Sequence, residues 1–320
     1  MSSDTSKNAI IKRGVLYLAI ATFVFSSMEV AIKATNGCFN PIQLNLLRFF
    51  IGGCILLPFA HRQLKHKQHR LTGYDWRVFL AMGLACVVVS MSLYTISLLF
   101  IPSYQDAILF SCNTFFGILL SSLFLKEHLS GLGKTGLGIA FLGMLIIIDP
   151  LHFTGSFKGV VLVLASAFTF AIYSVFCKAL TKNHPIGGLV VTCFGFFCGC
   201  AELLVLVGFS HIEVVAHMLT SHHLSVLANI PILGGITAQT IYYLAYISIC
   251  VTGLGFASYF KAIELLGVTT STIVFFIKPV LAPIFAFFIL GEVISQQHMV
   301  GLAIIMVGSS ILFTSNLIRK

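Results

Sequence analysis

Charged residues inside long apolar runs are the positions in this sequence that could do chemistry. The stretch TIVFFIKPVLAPIFAFFILGE, residues 272–292, carries Lys278 and Pro279 near its middle and Pro283 one turn later. A lysine at the centre of a membrane-spanning helix costs about 2.5–3.5 kcal/mol, so it should face an acidic partner or a water-filled cavity. Each proline removes a backbone donor and frees a carbonyl one turn earlier. These features predict a bent helix whose lysine contacts a charged solute or a proton-carrying partner.

Four further charged residues fall inside apolar runs: Glu29, Arg48, Asp106 and Glu202. Glu29 and Arg48 each lie about five residues from the same-side ends of neighbouring runs, which at roughly 1.5 Å per residue places them at similar depth. We expect either a structural ion pair between Glu29 and Arg48 or contacts from both to a ligand. Asp106 and Glu202 are further candidates for ion pairing or coupling, with a merely interfacial position as the alternative for Asp106.

Aromatic residues accompany these charges. Tyr94, Tyr173 and Tyr259 lie within apolar runs, and Phe275 stands three residues before Lys278. Aromatic rings can stack on a planar or cationic solute, and a tyrosine hydroxyl inside a membrane needs a polar partner. We therefore predict solute contacts from these four rings. The alternative for Phe275 is ordinary packing, because the chain has 30 phenylalanines.

The composition identifies the class of protein. Hydrophobic residue types make up 58% of the 320 residues and charged types only 9%, whereas soluble domains carry roughly a quarter charged residues. The chain has too few charges to cover a water-exposed surface. An integral membrane protein in contact with the lipid bilayer is predicted, and a water-soluble enzyme is excluded.

The sequence contains no recognisable motif for binding a metal, a cofactor or ATP. The nine cysteines include no paired CxxC, so neither a zinc site nor a disulfide framework is expected. The histidines of SHHL, residues 221–224, are too loosely placed for a metal site. GLGKTG, residues 131–136, has His128 where a phosphate loop requires glycine. We expect no metal, no cofactor and no ATP-driven step.

Ten stretches are long and apolar enough to cross a bilayer as helices, each near the roughly 20 residues that a crossing needs. They are residues 14–34, 43–60, 76–99, 103–125, 132–149, 158–180, 187–209, 238–260, 268–290 and 296–316. The predicted fold is an all-α membrane protein with ten transmembrane helices. Residues 210–237 leave room for an interfacial helix.

Lysine and arginine predict the orientation. With the N-terminus in the cytoplasm, the basic residues concentrate in cytoplasmic segments, and only Lys33 and Lys158 fall on the opposite side. Both termini are therefore expected in the cytoplasm, with the protein in the inner membrane. The basic run HRQLKHKQHR, residues 61–70, then serves as an orientation signal, and no binding of nucleic acid is expected.

The two halves of the chain resemble each other. Residues 103–127 align without gaps to residues 268–292, Tyr94 aligns with Tyr259, and Asn113 falls opposite Lys278. Five spans in each half is an odd number, so the halves cross the membrane in opposite directions. Such inverted repeats build transporters with a site near the bilayer midplane, where the halves meet. The predicted divisions are a tail at residues 1–13, a first repeat at 14–150 and a second repeat at 151–320.

These features together resemble a known family. The carrying residues are Gly14 and Gly159 at the start of each half, Arg48 in LLRFF, Tyr94 and Tyr259, Pro279 and Pro283, and the closing motifs FLKE (124–127) and ILGE (289–292). In order and spacing they resemble the EamA-type carriers of the drug/metabolite transporter superfamily. The resemblance implies alternating-access movement of small metabolites, with one branch that carries S-adenosylmethionine. The pair Asn113-Thr114 stands where family members often have a proline, and it corresponds to Lys278-Pro279 in the second half. Because Asn113 is equivalent to Lys278, it is included among the predicted solute contacts.

The leading hypothesis is a secondary transporter of a small zwitterionic metabolite, an amino acid or an S-adenosylmethionine-like solute. Lys278 would hold the carboxylate, and an acidic group with aromatic rings would hold the cationic end. Alternatives are an exporter of broad specificity, a membrane-embedded transferase and a scaffold. A transferase would need a polar cluster at one membrane face, which the sequence lacks. A scaffold has no use for a lysine at the midplane.

Overall fold

The computed structural model of the protein describes residues 2–124, 131–148, 156–181, 186–222, 224–266, 271 and 273–318. Within these ranges the regular structure is entirely helical. The first half contains α1 (Ser2–Ser26), α2 (Met28–Ala34), α3 (Pro41–His66), α4 (Gly73–Gly83), α5 (Met91–Ser97), α6 (Ser103–Phe110), α7 (Asn113–Phe124) and α8 (Gly131–Ile148). The second half contains α9 (Phe157–Thr181), α10 (Gly188–Ser210), α11 (Glu213–Ser221), α12 (Ile241–Ala245), α13 (Gly255–Leu266), α14 (Ile273–Phe285) and α15 (Gln296–Ile318).

Eight helical segments of the described chain are long and apolar enough to cross a membrane. They are Ile10–Ala34, Pro41–His66, Gly73–Ser97, Ser103–Phe124, Gly131–Ile148, Phe157–Cys177, Gly188–Ser210 and Ile241–Leu266. Each overlaps one of the first eight predicted spans. The ninth predicted span contains the shorter apolar helix Val274–Leu290, and the tenth coincides with α15. A crossing by these last two segments stays a prediction.

Helix α1 extends beyond the first predicted span. It begins at Ser2, whereas that span begins at residue 14. The division into a tail at residues 1–13 and two repeats stays a prediction. Polar residues such as Ser, Asn and Lys have adequate helix propensity when they extend an existing helix, because only nucleation is costly. Hydropathy marks where a helix enters lipid and not where its backbone begins.

Several helices are interrupted at positions that matter for the site. A turn at Ser27 separates α1 from α2, and residues 111–112 separate α6 from α7. The backbone hydrogen bonds of the helices change to the π-helical pattern at Leu84–Ser90, Tyr246–Leu254 and Ala286–Leu290. Inserted π segments are often found at functional sites. The first two occupy equivalent places in the two halves, which extends the repeat from sequence to backbone.

Equivalent helices of the two halves pack antiparallel. Gly143 of α8 faces Gly301 of α15. Gly136, which is earlier in α8, faces Gly308, which is later in α15. A Cβ added to Gly143 would lie 2.7 Å from the carbonyl oxygen of Gly301, so glycine permits this approach. The pairing runs in opposite directions along the two helices. The same holds for α3 and α10, and this geometry is that of an inverted repeat.

One end of the bundle is closed by hydrogen bonds between distant parts of the chain. We call it the Glu292 end, because the Glu292 carboxylate accepts bonds from the backbone N–H of Ser103 (3.0 Å) and of Tyr104 (3.2 Å) and from the Ser103 hydroxyl (2.8 Å). Gln43 donates to the carbonyl of Gly234 at 2.6 Å at the same end. Because the segment ending at Glu292 meets the first residue of α6, the fourth and ninth predicted spans also run in opposite directions.

Candidate functional site

The buried lysine of α14 has an acidic partner on α2. Lys278 Nζ lies 2.7 Å from Glu29 Oε1, and both side chains are buried. The Tyr94 hydroxyl donates to the same Glu29 oxygen. The turn at Ser27 comes just before Glu29, and Pro279 and Pro283 follow Lys278 within α14. Glu29 therefore follows a break between two helices, and Lys278 is followed by two prolines that each remove a backbone donor from α14.

Aromatic rings surround the ammonium group of Lys278. Its Nζ lies 5.3 Å from the centre of the Phe110 ring and 5.8 Å from the centre of the Tyr94 ring. Rings at such distances attract a desolvated cation through their quadrupole. Tyr94 and Phe110 also pack edge to face, with ring centres 4.7 Å apart. The lysine is thus held by one carboxylate and two rings.

Arg48 does not form the ion pair with Glu29 that equal depth had suggested. Its Nε donates to Asn45 Oδ1 at 3.0 Å, its Nη1 approaches Met28 Sδ at 3.4 Å, and its guanidinium lies over the Phe49 ring. Within the described chain no carboxylate lies at salt-bridge distance from Arg48, and its Nη2 has no hydrogen-bond partner. Depth along two helices does not determine the direction of their side chains, and here Glu29 turns toward α14.

Asp106 is fully buried within the protein. The Ser97 hydroxyl donates to Asp106 Oδ1, while Oδ2 has no partner among the described residues. Asp106 lies on α6 near Glu29 and Lys278, close enough for their charges to interact. Its depth relative to the membrane interface stays a prediction.

Tyr94 links these groups. It is fully buried, and its surroundings include the charges of Glu29, Asp106 and Arg48. Counted at their ordinary ionisation states, the cluster of Glu29, Asp106, Arg48 and Lys278 carries two positive and two negative charges. We call these four residues the charge cluster. Three of its buried polar atoms have no hydrogen-bond partner within the part of the chain that the structure describes: Glu29 Oε2, Asp106 Oδ2 and Arg48 Nη2.

The other predicted contacts lie around the charge cluster or apart from it. Asn113 donates to the carbonyl of Phe110 at 2.9 Å and so supports the break between α6 and α7. Tyr173 bonds Thr192 at 2.9 Å, and its ring contacts Phe170. Phe170 in turn contacts Phe110, so Tyr173 connects to the cluster only through aromatic rings.

Tyr259 and Phe275 form a second aromatic group. Their ring centres are 5.5 Å apart, and Phe25 packs against Tyr259. Glu202 on α10 makes no hydrogen bond to any residue whose side chain the structure describes, and its Oε2 is buried without a partner. The structure thus joins Glu29, Tyr94 and Lys278 directly and leaves Glu202 outside the cluster.

Sequence reasoning missed the residues that position the cluster. Asn45 Oδ1 accepts from both Arg48 and Thr95, at 3.0 Å each. Asn45 precedes Arg48 by three residues, a helical spacing that brings side chains together and could have identified it. Glu292, which the sequence marked only as the end of the motif ILGE, caps α6. Its repeat equivalent, Glu127, lies outside the described residues.

A many-spanning α-helical bundle with an inverted repeat and a buried charge cluster defines a membrane carrier. A model of the EamA-like transporter family matches the chain twice, at residues 12–149 and 157–314. The chain belongs to this family. Transport is the activity of the family and of the relatives described next, which decides against the transferase.

Curated relatives carry transporter names. An uncharacterized transporter of Clostridium kluyveri is 30% identical over 96% of this chain and 94% of its own length. A probable terminal-alkyne amino-acid exporter of Streptantibioticus cattleyicolor is 26% identical over 97% of this chain and 96% of its own. The pseudopaline exporter of Pseudomonas aeruginosa is 29% identical over 55% of this chain and 60% of its own.

A solved crystal structure shares the fold. It superimposes with a TM-score of 0.61 at 17% identity, over 93% of this chain and 96% of the other. At that identity the likeness concerns the architecture alone.

Proposed function

We propose that the protein is a secondary transporter that moves a small amino-acid-like zwitterion across the cytoplasmic membrane by alternating access. The observation that carries this proposal is the charge cluster, in which the buried ion pair of Glu29 and Lys278 lies near a buried aspartate and a buried arginine. A solute with one positive and one negative group leaves the charge of such a site unchanged. A singly charged solute would add an uncompensated charge in a low-dielectric interior.

The ion pair explains why a zwitterion suits this site better than a neutral solute. Removing one partner of a buried salt bridge typically costs about 3–5 kcal/mol, because the other charge is left unpaired. A carrier must rearrange its central contacts during each cycle. A zwitterion brings one positive and one negative group to the charged residues that rearrange, whereas a sugar or an apolar drug brings neither.

Backbone irregularity near the cluster supports alternating access. The break at Ser27 precedes Glu29, the break before Asn113 ends the helix that carries Asp106, and two prolines follow Lys278. Arg48, in contrast, lies within the continuous helix α3. The Glu292 end is closed in this conformation by the contacts of Glu292 with α6. We interpret the structure as a state closed at that end, which opens when these contacts are released.

Two relatives are named as exporters, one of them for an amino acid, and these names support export of an amino-acid-like solute here. They do not mention S-adenosylmethionine. We therefore propose the amino-acid class and keep the adenine-bearing amino acid as a test compound.

Uptake into proteoliposomes tests the proposal. The purified protein is reconstituted and offered labelled amino acids, with S-adenosylmethionine, a neutral sugar and an apolar cation as competitors. We expect amino acids to enter and to compete with one another. Competition by the sugar or the cation, with none by any zwitterion, would contradict the proposed solute class.

A further inference from the structure

Arg48 is the most unusual charged group in the protein. It is among the largest fully buried side chains, with 1% of its surface exposed. Its Nη2 nevertheless has no hydrogen-bond partner, and within the described residues it has no carboxylate partner. A buried cation without a counter-ion is costly, so some state of the transport cycle should supply an anion to it.

The guanidinium of Arg48 is oriented in advance. Asn45 holds its Nε at 3.0 Å and is itself held by Thr95, while the Phe49 ring supports the guanidinium plane with its centre 4.5 Å away. These contacts occupy one edge and one face of the group. An arginine fixed in this way binds a carboxylate with little further loss of side-chain freedom, and two parallel bonds give such a pair its specificity.

Lys278 is in the opposite situation. Its ammonium group already has the Glu29 carboxylate at 2.7 Å and two aromatic rings around it. A solute carboxylate could reach it only by displacing Glu29, which would leave that carboxylate buried. The sequence had suggested Lys278 as the anchor for the carboxylate, but its charge is satisfied within the protein.

The unpartnered acceptors complement Arg48. Glu29 Oε2 and Asp106 Oδ2 are buried and accept no bond from the described residues. The three groups meet along α5: Tyr94 bonds Glu29, Thr95 bonds the Asn45 that holds Arg48, and Ser97 bonds Asp106. An ammonium group on the solute would satisfy the two carboxylate oxygens, and its carboxylate would satisfy Arg48 Nη2.

We infer that Arg48 binds the carboxylate of the transported zwitterion, that Glu29 and Asp106 receive its cationic group, and that Lys278 is the internal counter-ion that positions Glu29. This inference rests on the proposed function and assigns the parts of the same site. It places the selectivity for a carboxylate on α3 and not on α14.

A comparison of an amino acid with its carboxamide shows whether Arg48 or Lys278 recognises the carboxylate. From the proteinogenic amino acids, the one taken up fastest by the wild-type protein is compared with its own carboxamide, which keeps the ammonium group and loses the carboxylate charge. Hydrogen bonds to charged groups are strong enough that the wild type should prefer the acid by about tenfold to a hundredfold. Arg48→Gln should reduce this preference to about twofold or less, and Lys278→Gln should retain it in whatever uptake remains.

Two controls test for misfolding. Arg48→Lys keeps the positive charge and should keep part of the preference for the acid over the carboxamide. Gel filtration in detergent checks the folding of every variant. If Arg48→Gln retains the preference, or if Lys278→Gln abolishes it, Arg48 is not the carboxylate anchor. If Arg48→Gln fails to fold, Arg48→Lys decides, and an unchanged wild-type preference in it overturns the inference. Uptake of no amino acid by the wild type would refute the proposed function and this assignment with it.

Discussion

Lys278 Nζ and Glu29 Oε1 lie 2.7 Å apart and join the ninth predicted span to the first. Each residue alone would be an isolated charge in an apolar helix, which is expensive inside a membrane. Together they form a buried contact between the two halves of an inverted repeat. A carrier that moves its halves relative to each other must therefore keep or replace this contact at every step.

The first prediction concerns stability. Lys278→Met leaves the Glu29 carboxylate buried without its cation and should lower the free energy of unfolding by about 3–5 kcal/mol. The double variant Glu29→Gln with Lys278→Met removes both charges and should recover most of that loss. Thermal unfolding in detergent measures both, with Lys261→Met at an exposed pair as the control. A double variant no more stable than the single variant would contradict the pairing.

The second prediction concerns the Glu292 end. Glu292→Ala removes three hydrogen bonds at the start of α6. Loss of such a cap costs on the order of 1 kcal/mol, so the closed state should become less populated. A cysteine placed at the buried Ser97 in a cysteine-depleted protein should then react faster with a water-soluble thiol reagent.

Glu264→Ala, which changes an exposed carboxylate, is the matched control for Glu292→Ala. It should leave the reaction rate at position 97 unchanged. An equal rate for Glu292→Ala and the wild type would show that Glu292 does not hold this end closed.

The third prediction concerns the contact between α8 and α15. Gly143 leaves no space for a side chain, since its Cβ would lie 2.7 Å from a backbone oxygen, whereas Gly138 faces open space. Gly143→Leu should destabilise the protein by about 1–3 kcal/mol or more through overpacking. Gly138→Leu should be tolerated. Gel filtration and thermal unfolding compare them, and equal behaviour would argue against the antiparallel packing.

The fourth prediction concerns orientation. Single cysteines at His66 and His222 in the cysteine-depleted protein should react with an impermeant reagent from opposite sides of the membrane, with His66 on the cytoplasmic side. The expectation follows from the distribution of lysine and arginine. Labelling of both positions from the same side would refute the ten-span arrangement with cytoplasmic termini.

The sequence predicted the parts of this structure that follow from local composition. Apolar runs marked the helices, and the cost of a buried lysine predicted that Lys278 would face an acidic partner or a water-filled cavity. The structure shows an acidic partner. The identity of that partner could not be predicted. A sequence indicates how deep a residue lies along a membrane-spanning helix, but not which neighbouring helix its side chain faces. Glu29 and Arg48 share a depth, yet Glu29 contacts α14.

The capping of α6 by Glu292 could not be predicted from the sequence either. Glu292 and Ser103 are far apart in the chain, and no sequence motif links them. Their contact depends on how α6 and the segment after α14 cross, which only the packed structure shows. The alignment of the two halves did mark Glu292 as a repeated position, and the repeat was the best available signal.

Transport by the double variant Glu29→Gln with Lys278→Met tests the central claim most directly. This variant removes the ion pair without leaving an unpaired charge, so its folding should be close to that of the wild type. Uptake of a labelled amino acid into proteoliposomes is measured for both proteins, with folding checked by gel filtration and thermal unfolding. We predict uptake at the background of empty vesicles for the double variant. Uptake at the wild-type rate would show that the ion pair serves folding alone and would contradict the account.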